Sequence, residues 1–65
     1  MWIVVGMASS QKMAQTMQKG LESEGILVKI RNVSSKTKRS SDTYEILVLE
    51  SESDAAREIL IEKGF

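Results

Sequence analysis

Between Glu24 and Asp42 every charged side chain is basic: Lys29, Arg31, Lys36, Lys38 and Arg39. Cations gathered among hydroxyl residues pair by charge with phosphates or with acidic protein surfaces. These five residues are therefore the candidate site for an anionic ligand or an acidic protein partner. From Asp42 to Glu62 the charges are acidic except for Arg57, so the chain is electrically bipolar along its length. Lysine plus arginine and aspartate plus glutamate both number 9, for a formal net charge of 0. Overall charge thus argues for neither a nucleic-acid binder nor an acidic solubiliser. No aromatic residue lies between Val33 and Thr43 to stack on a base. Nucleic acid is accordingly the weaker expectation, and a solvated hairpin loop is the plainer use of the same residues.

Ser9 and Ser10 follow Gly6 at the point where a first strand gives way to a helix. Backbone donors and a helix N-terminus favour anions there, which makes the two serines a second candidate site. Neither a glycine-rich fingerprint nor a loop lysine accompanies them, and serine at that position also caps a helix by itself. Glu50, Glu52 and Asp54 are read as charges at the start of a second helix, where the helix dipole favours them. Catalysis would need a nucleophile, a tuned acid or base, or a metal. The chain has no histidine and no cysteine, so no catalytic residue, metal site or cofactor is expected and the function is read as non-enzymatic.

The elements that must carry these residues follow from spacing. Trp2, Ile3, Val4 and Val5 are aromatic or β-branched and run into Gly6, which reads as a strand ending where the backbone bends or is closely approached. Met13, Ala14, Met17 and Leu21 fall on one face of a helix over about Ser10–Glu24, with Ser9 or Ser10 as its cap and Gly25 closing it in a left-handed conformation. Met7, Met13 and Met17 could also offer an adaptable binding surface, although such spacing is the ordinary mark of a core.

Ile26, Val28 and Ile30 alternate with Leu27, Lys29 and Arg31, the period of a half-buried strand. Residues 33–43, with Ser34-Ser35 and Ser40-Ser41, lack apolar periodicity and read as a flexible basic loop. Tyr44–Glu50 forms a third strand whose consecutive Ile46, Val48, Leu47 and Leu49 need cover on both faces, as in the middle of a sheet. Ser51 and Ser53 compete to cap a second helix whose inward face is Ala55, Ala56, Ile59 and Leu60, ended by Gly64.

The expected architecture is a single α+β domain over 1–65 with the order β-α-β-β-α. A right-handed crossover and a hydrophobic third strand give a three-stranded antiparallel sheet of order 1-3-2 with both helices on one face. This is a truncated ferredoxin-like layout, and the missing final strand leaves the first strand with an open edge. At 65 residues only one small core is possible, burying roughly 60% of the unfolded chain's surface. With neither disulfide nor metal available, oligomerisation is the remaining staple. A homodimer is expected, with Trp2 and Val4 as its candidate seam because aromatic residues are enriched in interface cores. The absence of cysteine also fits a reducing, cytoplasmic location. Met1–Met7 is too short for a signal-peptide core, and no stretch approaches the ~20 apolar residues of a membrane span.

Two stretches carry a family resemblance: Gly20-Leu21-Glu22-Ser23-Glu24-Gly25-Ile26, and Tyr44-Glu45-Ile46-Leu47-Val48-Leu49 followed by an acidic cap and Ala55-Ala56-Arg57-Glu58-Ile59-Leu60. They resemble the prokaryotic signal-transducing protein family, a domain of unknown function. The resemblance implies a fold similar to that of the nitrogen-regulatory PII proteins, in which a long loop between the second and third strands carries regulation and nucleotides bind at subunit clefts. It implies a signalling or protein-interaction module, with a nucleotide or small-metabolite sensor as the alternative. No nucleotide-binding residue of the PII proteins has a counterpart in this chain, so the resemblance speaks to fold before activity.

Overall fold

A computed structural model of the chain describes residues 1–33 and 43–65. In chain order the elements are β1 (Trp2–Ala8), α1 (Gln11–Glu22), β2 (Val28–Val33), β3 (Thr43–Leu49), a short 3-10 turn (Glu50–Glu52) and α2 (Ser53–Glu62). The three strands form one antiparallel sheet in the order β1-β3-β2, the expected β-α-β-β-α arrangement with its most buried strand in the centre. Lys36, Lys38 and Arg39 lie outside the described residues, as does the loop expected at 33–43 except for its two ends. Val33 and Thr43, expected in that loop, instead form the last pair of the β2–β3 ladder.

Pairing divides the sheet residues cleanly between two faces, because successive side chains on a strand point oppositely. Tyr44, Ile46 and Val48 of β3 face the helices, together with Val28 and Ile30 of β2 and with Ile3, Gly6 and Ala8 of β1. Against them pack Ala14, Met17 and Leu21 of α1 and Ala56 and Leu60 of α2, with Ile26 closing the end. Leu21, Ile46 and Val48 are the largest fully buried side chains, and burying each contributes about 1.5–3 kcal/mol. Thr43, Glu45, Leu47 and Leu49 occupy the opposite, open face with Trp2, Val4, Lys29 and Arg31. Leu47 is nevertheless only 6% exposed, so the central strand is covered on both sides as its consecutive apolar residues require.

β1 does not end at Gly6. The ladder passes from the Val4–Leu47 pair directly to Gly6–Ile46, leaving Val5 as a bulge and carrying the strand on to Ala8. Gly6 stands where the helices come closest: a Cβ there would lie 2.9 Å from Met17 Cε and 3.5 Å from Leu60 Cδ1. The glycine thus lets both helices approach the strand, while the bulge rather than a strand end provides the bend.

Both helices stop in the same way. Gly25 has φ 85° and Gly64 has φ 83°. At the first, Ile26 N–H donates to Leu21 O at 3.2 Å and Gly25 N–H to Glu22 O at 2.9 Å. At the second, Phe65 N–H donates to Leu60 O at 3.0 Å and Gly64 N–H to Ile61 O at 3.1 Å. This paired pattern is the Schellman motif, and it places an apolar residue just after each glycine over the last turn.

Several local expectations shift. The helix expected over Ser10–Glu24 is regular over Gln11–Glu22, with Ser10 outside it as the cap. Met13 is exposed, leaving Ala14, Met17 and Leu21 as the buried face of α1. On α2 Ala55 is exposed while Ala56 and Leu60 are buried, because Ala55 lies about 100° round the helix from Ala56 and off the face that Ser53, Ala56 and Leu60 share. Neither Ser51 nor Ser53 caps α2 with its side chain. Glu50, expected to end the third strand, opens the intervening 3-10 turn instead, and Ser53 Oγ donates back to Glu50 O at 3.0 Å.

Candidate functional site

Among the described residues, each outer strand of the order β1-β3-β2 is paired on one side only. β2 carries Lys29 and Arg31, whereas β1, Trp2-Ile3-Val4-Val5-Gly6-Met7-Ala8, has no charged residue and no proline. Charges on an edge discourage a further strand from pairing there, and their absence leaves a row of backbone donors and acceptors beside apolar side chains.

Three of the exposed large apolar residues, Met7, Ile61 and Phe65, gather near that same edge. A cleft of about 390 Å³ opens between β1 and α2, lined by Val5, Gly6, Met7, Met17, Leu60, Ile61 and Phe65 with Arg57. Met7 is 54% exposed, Ile61 75% and Phe65 43%. The glycine turn after α2 positions Phe65 by holding its N–H on Leu60. In a ferredoxin-like sheet this is the place of the final strand, beside β1 and beneath the second helix.

The open face has a different character. The Lys29 ammonium sits 4.6 Å from the centroid of the Trp2 ring. Since Lys29 and Trp2 belong to the two outer strands, their contact reaches across β3, over Leu47 and Leu49. A cation over an indole face contributes about 0.5–1 kcal/mol when exposed, and here it also draws a lid over Leu47. Beside it Arg31 pairs with Glu45 directly across the β2–β3 ladder. Trp2 and Val4, the expected seam, are half-buried on this face rather than in the cleft.

The other sequence candidates separate in space. Ser10 accepts from Met13 N–H at 3.1 Å and is the cap of α1, while Ser9 is exposed beside it. The Ser10 oxygen thus serves as an acceptor that caps the helix. Of the five basic residues, Lys29 and Arg31 lie on the open face and each has an intrachain partner. Glu50, Glu52 and Asp54 fall in the 3-10 turn and the first turn of α2. Among the described residues no group of three acidic, histidine or cysteine side chains could hold a metal ion. No helix among them is long and apolar enough to cross a membrane.

Sequence reasoning identified the open edge of β1 but not Arg57, Ile61 and Phe65 as its neighbours. The available signal was Ile61, a large apolar residue adjacent to the inward Leu60 and off the apolar stripe of its helix. No family model, curated protein or solved structure matches the chain.

Proposed function

We propose that this domain is a non-enzymatic protein-interaction module that acts as a homodimer, two copies joining antiparallel along β1. The observation that carries this reading is the uncharged, unpaired edge of β1 with its apolar cleft. Antiparallel pairing of two β1 strands would satisfy the backbone groups of both edges in a six-stranded sheet. The formal net charge of 0 raises little long-range repulsion between copies, and proteins near neutrality associate readily. A signalling role, as the family resemblance implies, would use this assembly as a scaffold, and the cytoplasm is its expected setting.

Molar mass by light scattering over a concentration series tests the reading. The wild type should weigh two chains at high concentration. Met7→Lys, which gives β1 a charge of the kind β2 carries, should weaken association at least tenfold, about 1.4 kcal/mol. Its exposed position should leave the fold intact by circular dichroism. A wild type that remains monomeric at millimolar concentration would overturn the homodimer.

A further inference from the structure

The width of the β1 edge is the difficulty for a dimer built on strand pairing alone. Seven residues at roughly 3.3 Å each, in a layer about 10 Å thick, present a flank of only about 230 Å². A stable interface typically buries about 800 Å² per partner. A second layer must therefore meet across the seam, and the symmetry of the pairing selects it. Antiparallel pairing of identical strands places the two-fold axis perpendicular to the sheet, so both helical layers lie on one side and α2 of each copy flanks the axis. In the β-α-β-β-α order α2 runs along β1, so the two α2 helices meet antiparallel.

We infer that the outer flank of α2, formed by Arg57 and Ile61 with Phe65 just past the helix end, is the second layer of the dimer, and that it packs against the same flank of a second copy. This rests on the homodimer reading above and specifies what seals it. α2 packs on both β1 and β3. With strands about 4.8 Å apart, a helix above that pair stands about 5 Å from the axis. The two helices are then separated by about 10 Å, within the usual 8–10 Å or so of packed helices.

The flank is self-complementary. Arg57 and Ile61 stand four positions apart on α2, Phe65 follows the left-handed turn at Gly64, and all three line the cleft. In an isologous contact residue i meets j while j meets i. Centred on Ile61, the antiparallel pairing sets Ile61 against its own copy and brings each Arg57 toward the C-terminal end of the other chain's α2, where Phe65 offers an aromatic face to a cation. It also explains why Ile61, 75% exposed, follows the buried Leu60, since it serves the assembly and not the domain's own core.

The chain contains no cysteine, so single-cysteine variants report this geometry without background. Ile61→Cys should form a disulfide-linked dimer under mild oxidation, whereas Leu27→Cys, 61% exposed before β2, should not. Ile61→Lys should raise the dimer dissociation constant at least tenfold by light scattering, with the monomer's circular dichroism unchanged. A wild-type dimer that neither cross-links through Ile61→Cys nor weakens with Ile61→Lys would overturn the α2 layer and leave strand pairing standing. Equal cross-linking through Leu27→Cys would also overturn it. A monomeric wild type would overturn both the layer and the dimer.

Discussion

The two outer strands of this sheet pair with the same central strand, yet they meet solvent by opposite means. β2 presents Lys29 and Arg31, one over Trp2 and the other on Glu45. β1 has no charge at all and flanks an apolar cleft. A fold whose edges were both merely solvent-exposed would be expected to guard both, because an unguarded edge invites pairing. The asymmetry teaches that exposure and availability differ. Lys29 and Arg31 are exposed but engaged within the chain, while Met7, Ile61 and Phe65 are exposed and apolar around an unpaired strand.

Trp2 joins the two edges, and its removal should produce the largest effect. Trp2→Ala takes away the indole that Lys29 covers and opens the layer above Leu47 and Leu49. Fully buried tryptophan truncations cost about 3–5 kcal/mol, and this half-buried one should cost about 2 kcal/mol. Urea unfolding of the monomer should show it as a lower midpoint with an unchanged slope. A loss below about 0.5 kcal/mol would mean that the open face needs no lid, and that the two edges are independent.

The next change makes the edges alike. Lys29→Val with Arg31→Val strips β2 of charge and puts β-branched residues suited to a strand in its place. If charge keeps β2 unpaired, each chain then has two adhesive edges, and pairing no longer closes at a dimer. Light scattering should detect assemblies larger than two chains at concentrations where the wild type stays dimeric. A double variant confined to dimers would show that something other than charge protects β2.

This contrast was partly legible in the sequence. Strand order followed from Ile46, Leu47, Val48 and Leu49, whose unbroken apolar run suits only a central strand, and from the handedness of the first crossover. Gly25 and Gly64 announced both helix ends because a left-handed residue is what the turn requires. The bulge at Val5 was hidden, since four strand-forming residues followed by glycine read equally as a strand's end. The lid over Leu47 was hidden too. Trp2 and Lys29 are 27 positions apart in the chain, and only the β1-β3-β2 order brings them together. The inward face expected for α2, with both Ala55 and Ala56, is one residue too wide: neighbours on a helix stand about 100° apart, so Ala56 and Leu60 face the core and Ala55 does not.

The smallest effect belongs to the Arg31–Glu45 pair, which tests whether β2 is guarded by a specific contact or by charge alone. The arginine side chain is 60% exposed and the glutamate 18%, so water screens one partner far more than the other. Exposed pairs contribute about 0.2–1 kcal/mol; the half-shielded glutamate and the cross-strand geometry place this one toward the upper part of that range. Arg31→Gln should therefore lower stability by about 0.8 kcal/mol in dilute buffer, and high salt should shrink the difference between variant and wild type as screening rises. Because Lys29 remains, the same variant should stay a dimer. Assemblies larger than two chains from Arg31→Gln alone would show that β2 depends on this one ion pair, not on the combined charge of its two cations.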